Sequence, residues 1–273
     1  MQTRILTFRA DRQMGRLFSM VLAVLLSAGC TAEKKTAPAA NRICSLSAAA
    51  SVILCKLGAA PAAVDHYSSP FVPAGIPTVG KGTALQLEKI LELGIDTLVV
   101  WSYQVNALSH LKRHGIRIMA LEPVRMKNYP ELVKQLALLA GKEKEGRELV
   151  RAYEQKIPHP ASGSAPKRVY LELYSRNRGA GESSYAGDLL RAAGGQSILK
   201  NTSLAGTEYI IGKNPEIIFV AGDTASVREI MERPGFSTVE AVRRKTVFPV
   251  PRRLLVEGAF PAEAVEYFKK RIQ

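Results

Sequence analysis

Histidine, cysteine and tryptophan are scarce in these 273 residues, with four, three and one of each. The histidines His66, His110, His114 and His159 are scattered, and the one pair at helical spacing, His110 and His114, encloses Lys112 and Arg113, which repel a cation. A binder of bare Zn²⁺ or Mn²⁺ wants three or four His, Asp or Glu ligands at one place, so that class is disfavoured and no metal-ligating residue is assigned. Three cysteines do not make a disulfide scaffold. The chain also lacks HExxH, a nucleophile elbow, a P-loop and a dinucleotide fingerprint. No enzymatic activity and no cofactor are therefore expected. No compact basic motif with interleaved aromatics is present, which disfavours nucleic acid as a partner. The strongest apolar run, Leu17 to Leu26, is shorter than the roughly 20 residues of a spanning helix.

That run instead follows Arg4, Arg9, Arg12 and Arg16 and precedes Ser27-Ala28-Gly29-Cys30, the order of an export signal. Small residues before Cys30 resemble a bacterial lipobox, which implies a signal peptide over 1–29 and a lipidated Cys30. Residues 30–41 are small, polar and Pro-containing, the composition of a flexible tether. Cys44 and Cys55 sit inside apolar segments and are expected to be free core thiols. The whole chain carries a formal charge of +14, and residues 1–29 hold four Arg and one Asp, so the remainder keeps about +11. A basic balance favours an anionic ligand or an anionic membrane surface.

From Arg42 the pattern alternates. Ile43 to Leu46 reads as a strand followed by a helix to Leu57, Leu85 to Leu93 as a helix stopped at Gly94, and Thr97 to Trp101 as a buried strand. Asn106 to His114 is helical, and Ile116 to Leu121 is a further strand. Tyr129 to about Gln155 shows helical apolar spacing over nearly 27 residues, with Gly141 as a place to bend. After the Pro158–Pro166 loop the same grammar restarts at Val169 to Tyr174. It continues with helices over 185–193 and 208–212, a strand over 216–220, a helix near 227–231, a strand over 246–250 and a last helix from about Ala262. Alternating strands and helices predict a parallel sheet in each part. The expected fold class is α/β. Two Rossmann-like lobes, 42–128 and 167–273, are joined by one long backbone helix over 129–157, and a ligand cleft lies between them.

The opening Arg42-Ile43-Cys44-Ser45-Leu46-Ser47, the block Ile76-Pro77-Thr78-Val79-Gly80 with Leu87 to Val100, and its second-lobe partner Glu208 to Val220 resemble the helical-backbone class of ABC-importer solute-binding proteins. That family handles cobalamin, haem and ferric siderophores. The resemblance implies a periplasm-facing protein held to the membrane through its lipid anchor, which delivers a metal chelate to an ABC permease and its ATPase. It also implies that Glu88 and Glu208, each on a surface helix before a strand, dock to permease arginines. The alternatives are a binding protein for an oxyanion such as molybdate or tungstate, or for a bare transition metal.

Ligands of such α/β folds lie beyond the carboxyl ends of strands. This selects Tyr67 and Trp101, which match cleft aromatics of the cobalamin-binding relatives, and Tyr103 beside them. In the second lobe it selects Tyr174, Arg176 and Arg178 after one strand and Arg252 and Arg253 after another, with Lys81 as a further cation from the first lobe. Aromatic faces suit a macrocycle or catecholate, and guanidinium forks suit carboxylates. His66 or Tyr67 offers an axial ligand to haem iron.

Overall fold

The structure, a computed structural model, describes residues 41–157 and 165–273. The expected export signal over 1–29, Cys30, the expected tether up to residue 40, and His159 lie outside the described residues. In chain order the first six strands are β1 (Ile43–Ser45), β2 (Ala63–Val64), β3 (Gly80–Lys81), β4 (Ala84–Leu85), β5 (Thr97–Trp101) and β6 (Arg117–Leu121). Four of them form a parallel sheet in the order β2-β1-β5-β6, and β3 pairs with β4 as a separate hairpin. Thr97 to Val100 is buried throughout, as a central parallel strand covered on both faces must be. The helix Ala48–Lys56 starts where the Ser47 hydroxyl accepts the Ala50 N–H at 3.3 Å, and it buries residues 49–54 on the sheet. Cys44 and Cys55 are free thiols, the first fully buried and pushed well up by desolvation.

The segment expected to be one long helix is two. Tyr129–Ala140 ends at Gly141, whose left-handed φ of 63° returns its N–H to the carbonyls of the last turn, and Glu143–Lys156 then doubles back. The Tyr129 and Tyr153 rings lie 4.4 Å apart, and the Tyr153 hydroxyl donates to the Met126 carbonyl. A Cβ added at Gly146 would stand 2.5 Å from that of Ala137, so the two helices touch at backbone distance there. The linker is therefore a helical hairpin. Its apolar faces, Leu132, Val133 and Leu136 with Val150 and Tyr153, bury in one core cluster that also holds Val99 of the first sheet and Phe219 of the second. A straight helix would have left one of those faces in water.

The second half has β7 (Lys167–Glu172), β8 (Arg178–Gly179), β9 (Gly195–Ser197), β10 (Ser203–Leu204), β11 (Ile217–Ala221) and β12 (Val247–Val250). Its parallel core runs β9-β7-β11-β12, with β8 added antiparallel to β7 and β10 antiparallel to β8. Both parallel cores thus place their first four strands in the order second, first, third, fourth. Two α/β halves with parallel sheets are as the alternation of strand and helix predicts. The first strand of this half lies two residues before the predicted Val169 to Tyr174. The chain leaves it at Leu173, whose N–H donates to the Arg178 carbonyl, and turns through Asn177 at a φ of 59°.

The halves are clasped behind their strand ends. Arg125, in the loop after β6, donates to both carboxylate oxygens of Asp188, at 2.6 and 2.5 Å, and to the Ser183 carbonyl at 2.6 Å. The Met126 N–H joins the same carboxylate at 3.1 Å, and Lys56 donates to the Ala259 carbonyl.

Candidate functional site

The strands of the first sheet end at a cavity of about 440 Å³, to which the second half adds Val256 and Glu257. β2 runs into the turn Asp65–Ser68. Asp65 is buried and its Oδ1 accepts the Ser68 N–H at 2.9 Å, which fixes the turn and sends Tyr67 outward, 58% exposed. The neighbouring Ser68 hydroxyl is buried beside the Asp65 carboxylate and helps to hold that group's charge. Lys81 Nζ lies 5.5 Å from the centre of the Tyr67 ring, an attractive distance for a cation over an aromatic face. β5 ends at Trp101, whose N–H donates to Gln104 Oε1 at 2.9 Å. That bond closes a short 3₁₀ turn and leaves Tyr103 74% exposed. Asp65, Tyr67, Ser68, Trp101, Tyr103, Gln104 and Glu257 all line the cavity, with Leu46, Ala48 and Ala49 as an apolar floor.

Of the residues selected from sequence, the structure brings Tyr67, Trp101 and Tyr103 together on this wall. Lys81 joins them by riding on Tyr67, whereas His66 is exposed, edge-on to Tyr67, and is not part of the lining. On the other half Arg252 stacks over Tyr174 with its guanidinium carbon 5.4 Å from the ring centre, both exposed. Burial is the main force raising the Tyr174 hydroxyl, and the charge of Glu257 adds to it while Arg252 opposes it. The remaining arginines are placed elsewhere. Arg253 pairs with Glu263 at 2.7 Å and covers Phe260, Arg176 reaches Glu229 at 3.7 Å, and Arg178 is exposed on β8. Glu88 and Glu208 are both exposed, on the helices Leu87–Glu92 and Thr207–Lys213 that precede β5 and β11. These helices occupy equivalent places in the two halves.

Four polar or charged lining residues were not selected from sequence: Asp65, Ser68, Gln104 and Glu257. The strand-end rule points to the loop after β12 but stops at its first basic pair. A 3₁₀ turn over Arg252–Leu255 carries the chain past that pair and delivers Val256 and Glu257 to the cavity. Burial within the cleft raises the carboxyl groups of both Asp65 and Glu257, even though the Glu257 side chain itself is still reached by water.

Among solved structures, the chain is similar to a periplasmic haem-binding protein, HutB of Vibrio cholerae, at 21% identity, covering 84% of this chain and 98% of that one with a TM-score of 0.73. It is also similar to the vitamin B12-binding protein BtuF of Vibrio cholerae, at 20% identity over 85% and 96% of the two chains, TM-score 0.72. A possible iron-binding solute-binding protein from Staphylococcus epidermidis matches at 20% identity over 85% and 98%, TM-score 0.72. A search of curated protein sequences gave no match. The family described as periplasmic binding protein matches residues 43–254, which span both sheets and all of the cavity lining except Val256 and Glu257. The chain belongs to the periplasmic binding protein family.

Proposed function

We propose that the protein is the substrate-binding lipoprotein of an ABC importer, capturing a metal chelate such as a ferric siderophore, haem or a corrinoid in the cavity between its halves. The observation that carries this reading is the wall of Tyr67, Trp101 and Tyr103, two of them largely exposed at strand ends, facing a cavity of about 440 Å³. Exposed aromatic faces gathered in a concavity match a large flat ligand better than a small oxyanion, which needs donors and leaves the rings unused. Solved proteins of the same fold are described as binding haem, vitamin B12 and iron. The family supports an extracytoplasmic, non-enzymatic role. Lipidation at Cys30 holds the protein to the membrane, and Glu88 and Glu208, one per half, meet the permease.

The test uses Trp101, the single tryptophan, as reporter. The purified protein is titrated with haem, cobalamin, a ferric siderophore, molybdate and zinc. Saturable quenching by one chelate at submicromolar concentration is the expected result. Saturable binding of molybdate or zinc alone would transfer the function to an oxyanion or bare-metal importer.

A further inference from the structure

The charge of the cavity wall is opposite to that of the chain. The whole sequence carries +14, yet the charged residues lining the cavity are two carboxylates, Asp65 and Glu257, with no lysine or arginine among them. The two carboxylates differ in how they are satisfied. Asp65 is held by the backbone N–H of Ser68 at 2.9 Å and belongs to the turn. Glu257 has neither a hydrogen bond nor an ion pair among the described residues. The nearby cations are already engaged, Lys81 over Tyr67 and Arg252 over Tyr174.

Glu257 lines the same cavity as Tyr103 of the first half, and its charge adds to burial, the larger cause, in raising the hydroxyls of both Tyr103 and Tyr174. The wall of the first half carries the buried Ser68 hydroxyl, which serves the Asp65 carboxylate. A carboxylate without a protein partner, facing an aromatic-walled space, is free to accept hydrogen bonds from a ligand that brings donors. A ligand bringing its own carboxylates would set like charges a few ångströms apart at the edge of a low-dielectric cleft.

We propose that Glu257 is a specificity-determining residue. Its carboxylate accepts hydrogen bonds from N–H or ammonium groups on the rim of the chelate, so the cleft takes neutral or cationic chelates with such donors and turns away those whose rims carry free carboxylates or phenolate charge. This rests on the reading of the cavity as a chelate site, and it narrows the class from any metal chelate to corrinoid-like amides and amine-bearing hydroxamates. It also reverses the inference from net charge, since the basic surface then serves something other than the ligand.

The experiment compares four probes on the full mature chain: cobalamin, with an amide rim; ferrioxamine B, with a free ammonium; haem, with two propionates; and ferric enterobactin, a tricatecholate. One of the first two is expected to quench Trp101 at a concentration at least about tenfold below haem and ferric enterobactin. Glu257→Gln should weaken that ligand roughly 10- to 100-fold, the range for a charged hydrogen bond, and strengthen the anionic probes. Glu257→Asp should keep the original order of preference. Glu257 is exposed and makes no hydrogen bond or ion pair among the described residues, so all variants should share the parent's melting temperature. A wild-type preference for haem or ferric enterobactin, or an unchanged ratio in Glu257→Gln, overturns the role of Glu257 and leaves chelate capture standing. Absence of quenching by all four probes overturns both.

Discussion

The two halves share one strand order but fasten their strand-end loops by different means. In the first half the loops are tied to backbone amides: Asp65 takes the Ser68 N–H and Gln104 takes the Trp101 N–H. In the second half the loop after β7 is tied by a buried ion pair. Arg233, whose side chain is fully buried, donates to both oxygens of Glu172 at 2.8 Å, to Glu229 at 2.5 Å and to Asn177 Oδ1 at 2.8 Å. Glu172 also accepts the Asn177 N–H and the Tyr170 hydroxyl. Fastening to backbone amides needs no second charged side chain in the first half and leaves its aromatic rings facing the cavity. The second half uses its charge internally, to hold a turn that includes a left-handed asparagine.

The sharpest way to break this comparison is to remove one member of the buried pair. Arg233→Met keeps the length of the side chain but leaves Glu172 buried with an uncompensated charge. The expected loss is about 3–5 kcal/mol of stability, read as a shift in the urea midpoint. A loss below about 1 kcal/mol would mean that the second half does not depend on its internal charge. The pairing was hidden in the sequence because 61 residues separate Arg233 from Glu172.

A smaller effect is expected on the ligand side. Trp101 is half-buried at the end of β5, packed partly against the core and partly facing the cavity. Trp101→Ala should weaken the bound chelate about 10- to 100-fold, or roughly 1–3 kcal/mol, measured by calorimetry because the fluorescent reporter is gone. An equal loss in folding stability with unchanged affinity would make Trp101 a core residue, and the first half would then lack the recognition role that separates it from the second.

What the sequence makes legible is periodicity. The runs at 97–101 and 216–220 read as strands because they are largely apolar, the second lying one residue before the observed Ile217–Ala221, and the halves are recognisable because the grammar restarts after a Pro-rich loop. The linker was harder. Gly141 reads as a place to bend, and what makes the bend a reversal is contact between residues far apart in the helices, Tyr129 with Tyr153 and Ala137 with Gly146. The aromatic wall follows from the strand-end rule, since Tyr67 and Trp101 stand where β2 and β5 end. The partners of the arginines do not: Glu263 for Arg253 and Glu229 for Arg176 are set by tertiary packing, and composition carries no trace of them. Net charge was least informative of all, because it sums over a surface while a ligand meets only one wall.

The last and smallest expected effect lies where the halves meet, at the clasp between Arg125 and Asp188. Burial alone would raise the Asp188 carboxyl, but hydrogen bonds from Arg125 and the Met126 N–H, with the charges of Arg125 and Arg191, hold it below the ordinary value of 3.8. A carboxylate depressed on folding stabilises the native state at every pH above its unfolded value, and that contribution disappears as the pH falls through the folded value. Asp188→Asn should therefore cost stability at neutral pH, roughly 1.5 kcal/mol, the low end for charged hydrogen bonds, because Arg125 is 30% exposed and can turn to solvent. Other carboxylates titrate in the same acid range, so the informative quantity is the gap in urea midpoint between the parent and the variant. That gap should be constant from pH 7 to about 5 and close progressively below about 4. A gap that persists unchanged into acid would assign the effect of the substitution to packing on the 185–192 helix. The halves would then be joined by their shared apolar core and the helical hairpin, with the ion pair adding nothing between them.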